Sequence, residues 1–130
     1  MLSVSWVIGS GANAQGGSTD VVNLDDVIVT LEKVLEKSGS ITLDVVNGPE
    51  VGPESLQVES EAGLSVVSLG VDNGEDYVVR TYTNDSGDSE KITILGNEWD
   101  PKLVCGDESI VKQIVEEFFT TGDVSKNFLS

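Results

Sequence analysis

The chain has 130 residues, of which 38% are hydrophobic and 23% are charged, enough apolar side chains to bury the core of one domain. Its formal net charge is −16, because 23 acidic residues face only 7 basic ones. Such a charge works against compaction and disfavours nucleic acid and anionic membranes as partners, since both are polyanions. A basic protein or a cation would complement the charge, unless the charge serves solubility alone.

The chain contains no histidine and a single cysteine, Cys105. The lack of histidine excludes Ser–His and Cys–His nucleophile pairs, histidine general bases and nearly every zinc or iron site. One cysteine cannot form an intrachain disulfide, which fits a reducing compartment. We therefore expect a cytoplasmic binding protein rather than an enzyme, with no catalytic residues, no cofactor and no bound metal.

The first segment of the chain predicts a strand followed by a loop. Apolar side chains alternate with serines over residues 2–8, which is the period of a half-buried strand. Residues 9–19 are rich in glycine and lack the spacing of a phosphate-binding motif, so we expect a loop there. Residues 12–14 have the spacing of a signal-peptide cleavage site, but no positive region precedes the short apolar run, which favours the strand.

Two segments have the apolar stripe of an amphipathic helix, near residues 24–38 and 107–121. Asn23 can cap the first turn of the first helix, and Gly39 follows where a left-handed residue commonly ends a helix. Gly122 is expected to end the second helix in the same way. No segment approaches the roughly 18 apolar residues that a membrane span requires.

Between the helices, short alternating segments separated by turn residues predict an antiparallel meander. The expected strands are residues 41–46, 54–59, 64–71, 75–83 and 90–95. Asn73-Gly74 is a strong hairpin signal between two of them, and residues 84–88 are expected to turn a second hairpin between residues 81–83 and 90–95.

Residues 97–101 are predicted to be a loop, and residues 124–129 to contain a last short strand. With the strand at residues 2–8, the meander has about five to six strands. We therefore predict a single α+β domain over residues 1–130, with two helices packed on one face of a curled antiparallel sheet.

Three motifs are candidate chemical sites. Adjacent carboxylates lie in helix first turns, on a helix surface or on opposite faces of a strand, so a two-carboxylate glycosidase site is disfavoured. A calcium loop starting at Asp85 would need Asp or Asn where Gly87 and Ser89 stand, so a polar turn is favoured. Cys105, just before the second helix, is either a reactive thiol or a small buried side chain, and the lack of a basic neighbour other than Lys102 favours the second.

The density of acidic residues between positions 72 and 100 is the strongest functional signal. Eight carboxylates stand there against Arg80 and Lys91, a net charge of −6. Trp99, between two carboxylates, either anchors an interface or packs over one end of the sheet. The predicted partner-binding residues are Asp72, Glu75, Asp76, Asp85, Asp88, Glu90, Glu98, Trp99 and Asp100.

The order of elements and the C-terminal third of the chain resemble a family of bacterial immunity proteins. Residues 110–122 end on an apolar-x-x-Phe-apolar-x-Thr-Gly pattern similar to the ending of the last helix in that family. Residues 24–26 and 54–58 stand where its first helix and its meander are expected. The similarity spans residues 20–129, with Phe128 where the last strand of relatives often carries Trp. This family neutralises toxin domains of polymorphic and contact-dependent toxin systems, and it includes the partner of a double-stranded-DNA cytosine deaminase toxin.

The resemblance implies an immunity protein that occludes the active site of a cognate toxin domain, as a 1:1 heterodimer. A toxin acting on nucleic acid, such as a deaminase or a nuclease, tends to be basic at its substrate channel, which an acidic surface complements. Two alternatives remain: an acidic adaptor or regulatory module that binds another basic protein, and a histidine-free carboxylate enzyme.

Overall fold

The computed structural model describes residues 2–9, 12, 14–21, 23–46, 48, 50–85 and 89–129. Within those residues the chain forms nine strands and two α-helices. In chain order they are β1 (Leu2–Ile8), β2 (Gln15–Val21), α1 (Leu24–Lys37), β3 (Gly39–Val45), β4 (Gly52–Glu61), β5 (Leu64–Asp72), β6 (Tyr77–Thr81), β7 (Ile92–Ile94), β8 (Asn97–Trp99), β9 (Val104–Cys105) and α2 (Glu108–Thr121). A 3₁₀ turn, Pro101–Leu103, precedes β9.

Six strands pair in the order β2–β1–β3–β4–β5–β6, and each pairing is antiparallel. β9 pairs with the start of β5, while β7 and β8 form a separate hairpin. Both helices pack against one face of the large sheet. The α+β class with two helices is confirmed, and the sheet is larger than the five to six strands expected.

The core lies between the helices and two apolar rows that cross the sheet. One row is Val4, Leu43, Leu56 and Leu69, and the next is Trp6, Ile41, Val58 and Val67. Leu31 of α1 and Ile114 and Phe118 of α2 are fully buried against this layer. Because burial of a large apolar side chain contributes about 1.5–3 kcal/mol, this layer stabilises the packing of both helices on the sheet.

The start of α1 is as predicted, and its end needs a correction. The Asn23 side chain accepts a hydrogen bond from the Asp26 N–H at 2.9 Å and caps the helix. The C-cap, however, is Ser38, with φ of 69°, and Gly39 opens β3 with φ of 142°. A Cβ at Gly39 would collide with the Val7 carbonyl oxygen. Gly39 is therefore required for the close approach of β1 and β3, not for the end of the helix.

Both ends of α2 follow the sequence prediction. The Asp107 side chain accepts from the Ser109 N–H at 2.9 Å, and Gly122 is left-handed with φ of 79°. The Ser109 hydroxyl also donates to the Asp107 carboxylate at 2.6 Å. The Ser109 hydroxyl and N–H hold the pKa of Asp107 below its ordinary value, which keeps the cap charged and accepting.

The predicted loop at residues 9–19 is wrong in its second half, because β2 pairs with β1 along its whole length. β2 lacks the alternation of a half-buried strand, since it lies at the sheet edge and contains Gly16 and Gly17. A Cβ at Gly17 would lie 2.6 Å from the Trp6 ring. The apolar contact of this strand is therefore supplied by Trp6 of β1, and the sequence of β2 itself does not show it.

The second predicted hairpin, between residues 81–83 and 90–95, is also wrong. β7 pairs with β8, so residues 97–99 of the expected loop are a strand. The connection is Leu95-Gly96, with φ of 52° and 83°, the signature of a two-residue type I′ turn. Leucine is rare at positive φ, so this turn gives little signal in the sequence.

The segment after α2 does not form the predicted last strand. Within it, Leu129 makes one isolated antiparallel bridge with Tyr82. Arg80 of β6 fastens the segment instead: its Nη2 donates to the carbonyl oxygens of Val124 and Leu129, both at 2.8 Å. Its Nη1 donates to the Asp123 carboxylate at 3.2 Å. The C-terminal segment is thus attached to the end of the sheet by Arg80 in addition to this bridge and to the burial of Val124 and Leu129.

Candidate functional site

The sheet face opposite the helices, which we call the open face, is uncovered over most of its area. The β7–β8 hairpin covers one end of it, where Ile94 packs with Val66 and Val104. Elsewhere its side chains are half-buried or exposed. Since neighbouring strands lie about 4.8 Å apart, the six strands give a surface about 24 Å wide.

A continuous row of small polar side chains crosses this face. The register places one such residue of each strand opposite the next, and we call the set the hydroxyl row: Ser18, Ser5, Thr42, Gln57, Ser68 and Thr81. Hydroxyl and amide groups both donate and accept hydrogen bonds. The row is therefore a flat surface whose groups can replace their hydrogen bonds to water with hydrogen bonds to a partner protein.

The charge of the open face is exclusively negative. In the next row, Asp20 and Asp44 stand on either side of Ser3, and Glu59 lies beyond the hydroxyl row on β4. Strands β1 to β5 together carry six carboxylates and neither Lys nor Arg. Arg80, the one cation of β6, is directed away from this face to the C-terminal segment. The open face therefore presents acceptors with no compensating cation on its own strands.

A groove lies at the end of the open face remote from the hairpin. Tyr77 lies across β5 directly over Gly70, where a Cβ would collide with the phenol. The groove has a volume of about 570 Å³ and is lined by Asp44, Glu54, Ser55 and Tyr77 among others. Tyr77 is 57% exposed. An exposed aromatic ring beside two carboxylates can receive a Lys or Arg side chain.

The structure divides the predicted partner-binding residues into two groups. Asp72, Glu75 and Asp76, the turn group, lie at the groove end of β5. Asp85, Glu90, Glu98, Trp99 and Asp100, the hairpin group, belong to the β7–β8 hairpin and its flanking segments, and that hairpin packs near Val66. Val66 and Asp72 are six residues apart on β5, about 20 Å. Asp88 lies outside the described residues.

The turn group is held by a network of side-chain to backbone hydrogen bonds. The Asp72 carboxylate accepts from the Gly74 N–H at 2.9 Å, and the Asn73 side chain accepts from Glu75 and Asp76 N–H groups at 2.9 and 2.8 Å. Both of those acidic side chains are exposed. The turn therefore projects two carboxylates from the start of β6 at a fixed position.

Trp99 packs inside the molecule and only part of it reaches solvent. Its ring lies against the small cluster of Val66, Ile94 and Val104. Its indole Nε1 is buried and has no hydrogen-bond partner among the described residues. Trp99 fastens the hairpin to the sheet, and its role as an interface anchor stays a prediction.

Nucleophilic side chains gather in the interior without forming a catalytic arrangement. The Ser65 hydroxyl donates to Ser60 at 3.1 Å, and the Cys105 thiol lies 3.4 Å from the Asp107 carbonyl oxygen. Both serines and the cysteine are buried. Burial raises the pKa of Cys105 above its ordinary value, and the pKa of the neighbouring Tyr82 is raised for the same reason. The thiol therefore stays protonated at neutral pH and packs as a small apolar side chain.

The family follows from the match over almost the whole chain. Residues 5–128 match the model of a family of unknown function (DUF6911). The chain belongs to this family. It is also similar to a crystal structure of a hypothetical protein from Neisseria gonorrhoeae, with a TM-score of 0.76 and 15% identity, covering 95% of this chain and 90% of that one. At that identity the likeness shows a shared fold. No curated protein matches the chain.

Two further properties of this DUF6911 member concern its described residues alone. Neither helix found there is both long and apolar enough to cross a bilayer. No group of three or more Asp, Glu or Cys side chains in the same part of the chain is arranged to hold a metal ion.

The open face of this family member cannot be found by grouping acidic residues that are close in sequence. Its residues come from five or more strands, and Ser18 and Thr81 are the two ends of one row. One signal was available: outward positions of β1, β3 and β4 are repeatedly Ser, Thr or a carboxylate. That alternation identifies a polar face, but it does not give the order of the strands.

Proposed function

We propose that this protein is an immunity-type inhibitor, which binds a basic toxin domain through its open face and covers the toxin's active site. The observation that supports the proposal is the charge of that face, with six carboxylates on β2 to β5 and neither Lys nor Arg on β1 to β5. A toxin that acts on nucleic acid presents a basic channel, and a flat acidic surface can occupy it as the phosphate backbone would.

The two kinds of side chain on the open face have different roles in this proposal. Asp20 and Asp44 accept charge-assisted hydrogen bonds from Lys or Arg and set the rate of encounter. The hydroxyl row supplies bonds of either polarity and allows close approach, because its side chains are short. The protein itself performs no catalysis and needs no cofactor in this role, and the complex is a 1:1 heterodimer in the cytoplasm.

The proposal is tested by protection of cells that express a candidate toxin. The candidate is the variable C-terminal domain of a large secreted protein encoded beside the gene for this chain. We expect the wild-type protein to restore growth and to co-purify with the toxin domain as a 1:1 complex.

Three double variants locate the surface, and each changes the net charge from −16 by the same four units. Asp20→Lys with Asp44→Lys alters the open face. Asp85→Lys with Glu98→Lys alters the hairpin group. Glu36→Lys with Glu116→Lys, on the exposed surface of the helices, is the matched control.

We expect the open-face variant to lose protection and to associate about tenfold more slowly, since charges at an interface mainly set the association rate. The helix variant should protect as the wild type does. Equal losses in all three variants would show that net charge alone matters and would refute the open-face assignment. Loss in the hairpin variant alone would move the interface to residues 85–100. A stable complex without protection would favour the adaptor alternative.

A further inference from the structure

The outer edge of β6 has no strand partner among the described residues, although the first three side chains of this strand are apolar or aromatic. Tyr77, Val78 and Val79 are 57%, 39% and 58% exposed. β2, at the opposite edge of the sheet, has the sequence QGGSTDV and exposes glycine and polar residues. Natural edge strands are usually protected by charge, proline or a bulge. An edge that is rich in valine and tyrosine is suited to pairing with another strand.

The backbone of β6 directs hydrogen-bonding groups outwards at known positions. The Tyr82 N–H donates to the Val67 carbonyl at 3.1 Å, so Tyr82 is bonded to β5. Because bonding direction alternates along an antiparallel strand, the N–H and C=O groups of Tyr77 and Val79 point away from β5. Among the described residues, the C-terminal segment contacts this end of β6 at Tyr82, which bridges to Leu129, and at the Arg80 side chain. Residues 77–79 therefore form the unprotected part of the edge.

The surroundings of this edge define the charge of its occupant. Asp72, Glu75 and Asp76 precede it, and Asp85 follows it. The side chain of its one cation, Arg80, is only 17% exposed and is bound to the C-terminal segment. A second copy of the chain would bring two molecules of charge −16 together, which self-repulsion opposes. An extended segment that carries Lys or Arg fits both the backbone and the charge.

We propose that β6 is a strand-addition site, where an extended basic segment of the partner protein pairs with Tyr77–Val79 and continues the sheet beyond β6. The inference rests on the proposed function, since it assigns a second contact to the same basic partner. Main-chain bonds hold the added strand. Its side chains on the open-face side reach the ring of Tyr77 and the carboxylates of the turn group, which gives a preference for Lys and Arg.

The probe is a peptide of about ten residues, enough to cover the strand, with alternating Thr and Lys. A second peptide has the same number of Lys residues and adjacent pairs of Pro in place of Thr, so it has the same charge. N–H groups are then missing on both edges of the strand, and neither edge can form a continuous ladder. Binding is followed by amide chemical shifts of the full-length protein at about 0.05 M salt, where charge attraction is weakly screened. We expect the Thr-Lys peptide to shift the amides of residues 77–81, and the Pro-Lys peptide to leave them unchanged.

A variant pair tests the backbone bond. Val79→Pro removes an N–H that points outwards and leaves the β5 ladder intact, whereas Val79→Ala shortens the side chain and keeps the N–H. We expect Val79→Pro to weaken binding of the Thr-Lys peptide about fivefold relative to Val79→Ala, as for one lost hydrogen bond. The chemical-shift dispersion of both variants verifies folding, and the peptide comparison holds without any variant.

The outcomes separate this inference from the proposed function. Equal binding of the two peptides, or shifts confined to the open face, would refute strand addition while leaving the open-face proposal intact. Lack of binding by either peptide, together with loss of toxin protection on open-face charge reversal, would refute strand addition alone. Shifts at residues 77–81 that grow with protein concentration in the absence of peptide would identify a second copy as the occupant and refute the basic strand.

Discussion

At the scale of single residues, three non-glycine residues have positive φ, namely Ser38, Ala62 and Leu95, within the described chain. Ala62-Gly63 and Leu95-Gly96 both form two-residue type I′ turns, with φ of 53° and 82° in the first. The favoured sequence for such a turn is Asn-Gly, so neither turn is evident from sequence. The strands around Ala62-Gly63 could still be predicted, because β4 alternates and β5 is a short run rich in valine and leucine.

The thiol of Cys105 gives a pH-dependent prediction. Burial raises its pKa in the folded protein, so the unfolded chain ionises at lower pH than the folded one. The contribution of the protonated thiol to the free energy of unfolding is fully present below the unfolded thiol pKa of about 8.5. It is lost as the pH rises towards the pKa of the thiol in the folded protein. We expect the urea midpoint to fall as the pH is raised above 8.5.

The control for this effect is Cys105→Ala, which should flatten the decline in that range while lowering stability at neutral pH through the lost packing. Tyr82 acts in the same direction, but only near its own unfolded pKa of about 10. A variant that declines as steeply as the wild type between pH 8 and pH 9.5 would assign the effect to other groups.

At the scale of elements, Arg80 joins β6 to the segment after α2. Arg80→Lys replaces a planar group that bonds two carbonyls and a carboxylate with a single ammonium, which cannot reproduce that geometry. We expect a loss of about 1.5–3 kcal/mol in the free energy of unfolding, the size of a charge-assisted hydrogen bond that is lost. Urea denaturation measures it.

The matched control is Asp123→Asn, which removes the charge of an ion pair whose acidic partner is 57% exposed. Such exposed pairs contribute less than about 1 kcal/mol, and the amide can still accept from the Val124 N–H. If Arg80→Lys and Asp123→Asn lose equal stability, the hydrogen bonds from the Arg80 side chain to the two carbonyl oxygens do not hold the C-terminal segment.

Trp99 gives a second prediction at this scale, because its ring holds the β7–β8 hairpin on β5. Trp99→Ala should cost about 3–5 kcal/mol of unfolding free energy. Trp99→Phe should cost less than about 1.5 kcal/mol, because the lost indole N–H has no partner among the described residues. Denaturation of both variants measures the difference.

Toxin binding by the Trp99→Phe variant distinguishes the two roles of this residue. If Trp99 is an interface anchor, the toxin should dissociate faster from the Trp99→Phe variant. The Trp99→Ala variant should then lose on the order of 2 kcal/mol of binding free energy. Unchanged dissociation in the folded Phe variant would restrict Trp99 to holding the hairpin.

The elements that could be predicted are those that carry their own signal. α1 and α2 each combine a one-sided apolar stripe with a capping side chain, and both ends of α2 were predicted. β2 and the β7–β8 hairpin could not be predicted, because Trp6 of β1 and Val66 of β5, which lie outside their own sequences, supply their apolar contacts. The site depends on the same information, since a row across six strands exists only once their order is known.

At the scale of the whole molecule, the net charge affects stability directly. Repulsion among the carboxylates opposes the compact state, and an exposed ion pair such as Lys112 with Glu32, at 3.5 Å, offsets little of it. We expect the urea midpoint to rise with sodium chloride, mostly below about 0.15 M, where the Debye length has fallen to about 8 Å.

The Glu36→Lys with Glu116→Lys variant serves as the control here, because it has a smaller net charge and should depend less on salt. A midpoint that falls with salt would show that attractive pairs outweigh the repulsion. A steady rise up to molar salt in both proteins would reflect exclusion of the ions from the protein surface and not screening.

The absence of lysine from β1 to β5 also determines which residues an amine-reactive label can modify. All six lysines of the chain lie on the helices, around the hairpin or in the C-terminal segment. Reagents that acylate side-chain amines therefore cannot modify a residue of those five strands. Biotin or a fluorophore coupled through lysine therefore leaves the side chains of their part of the open face chemically intact.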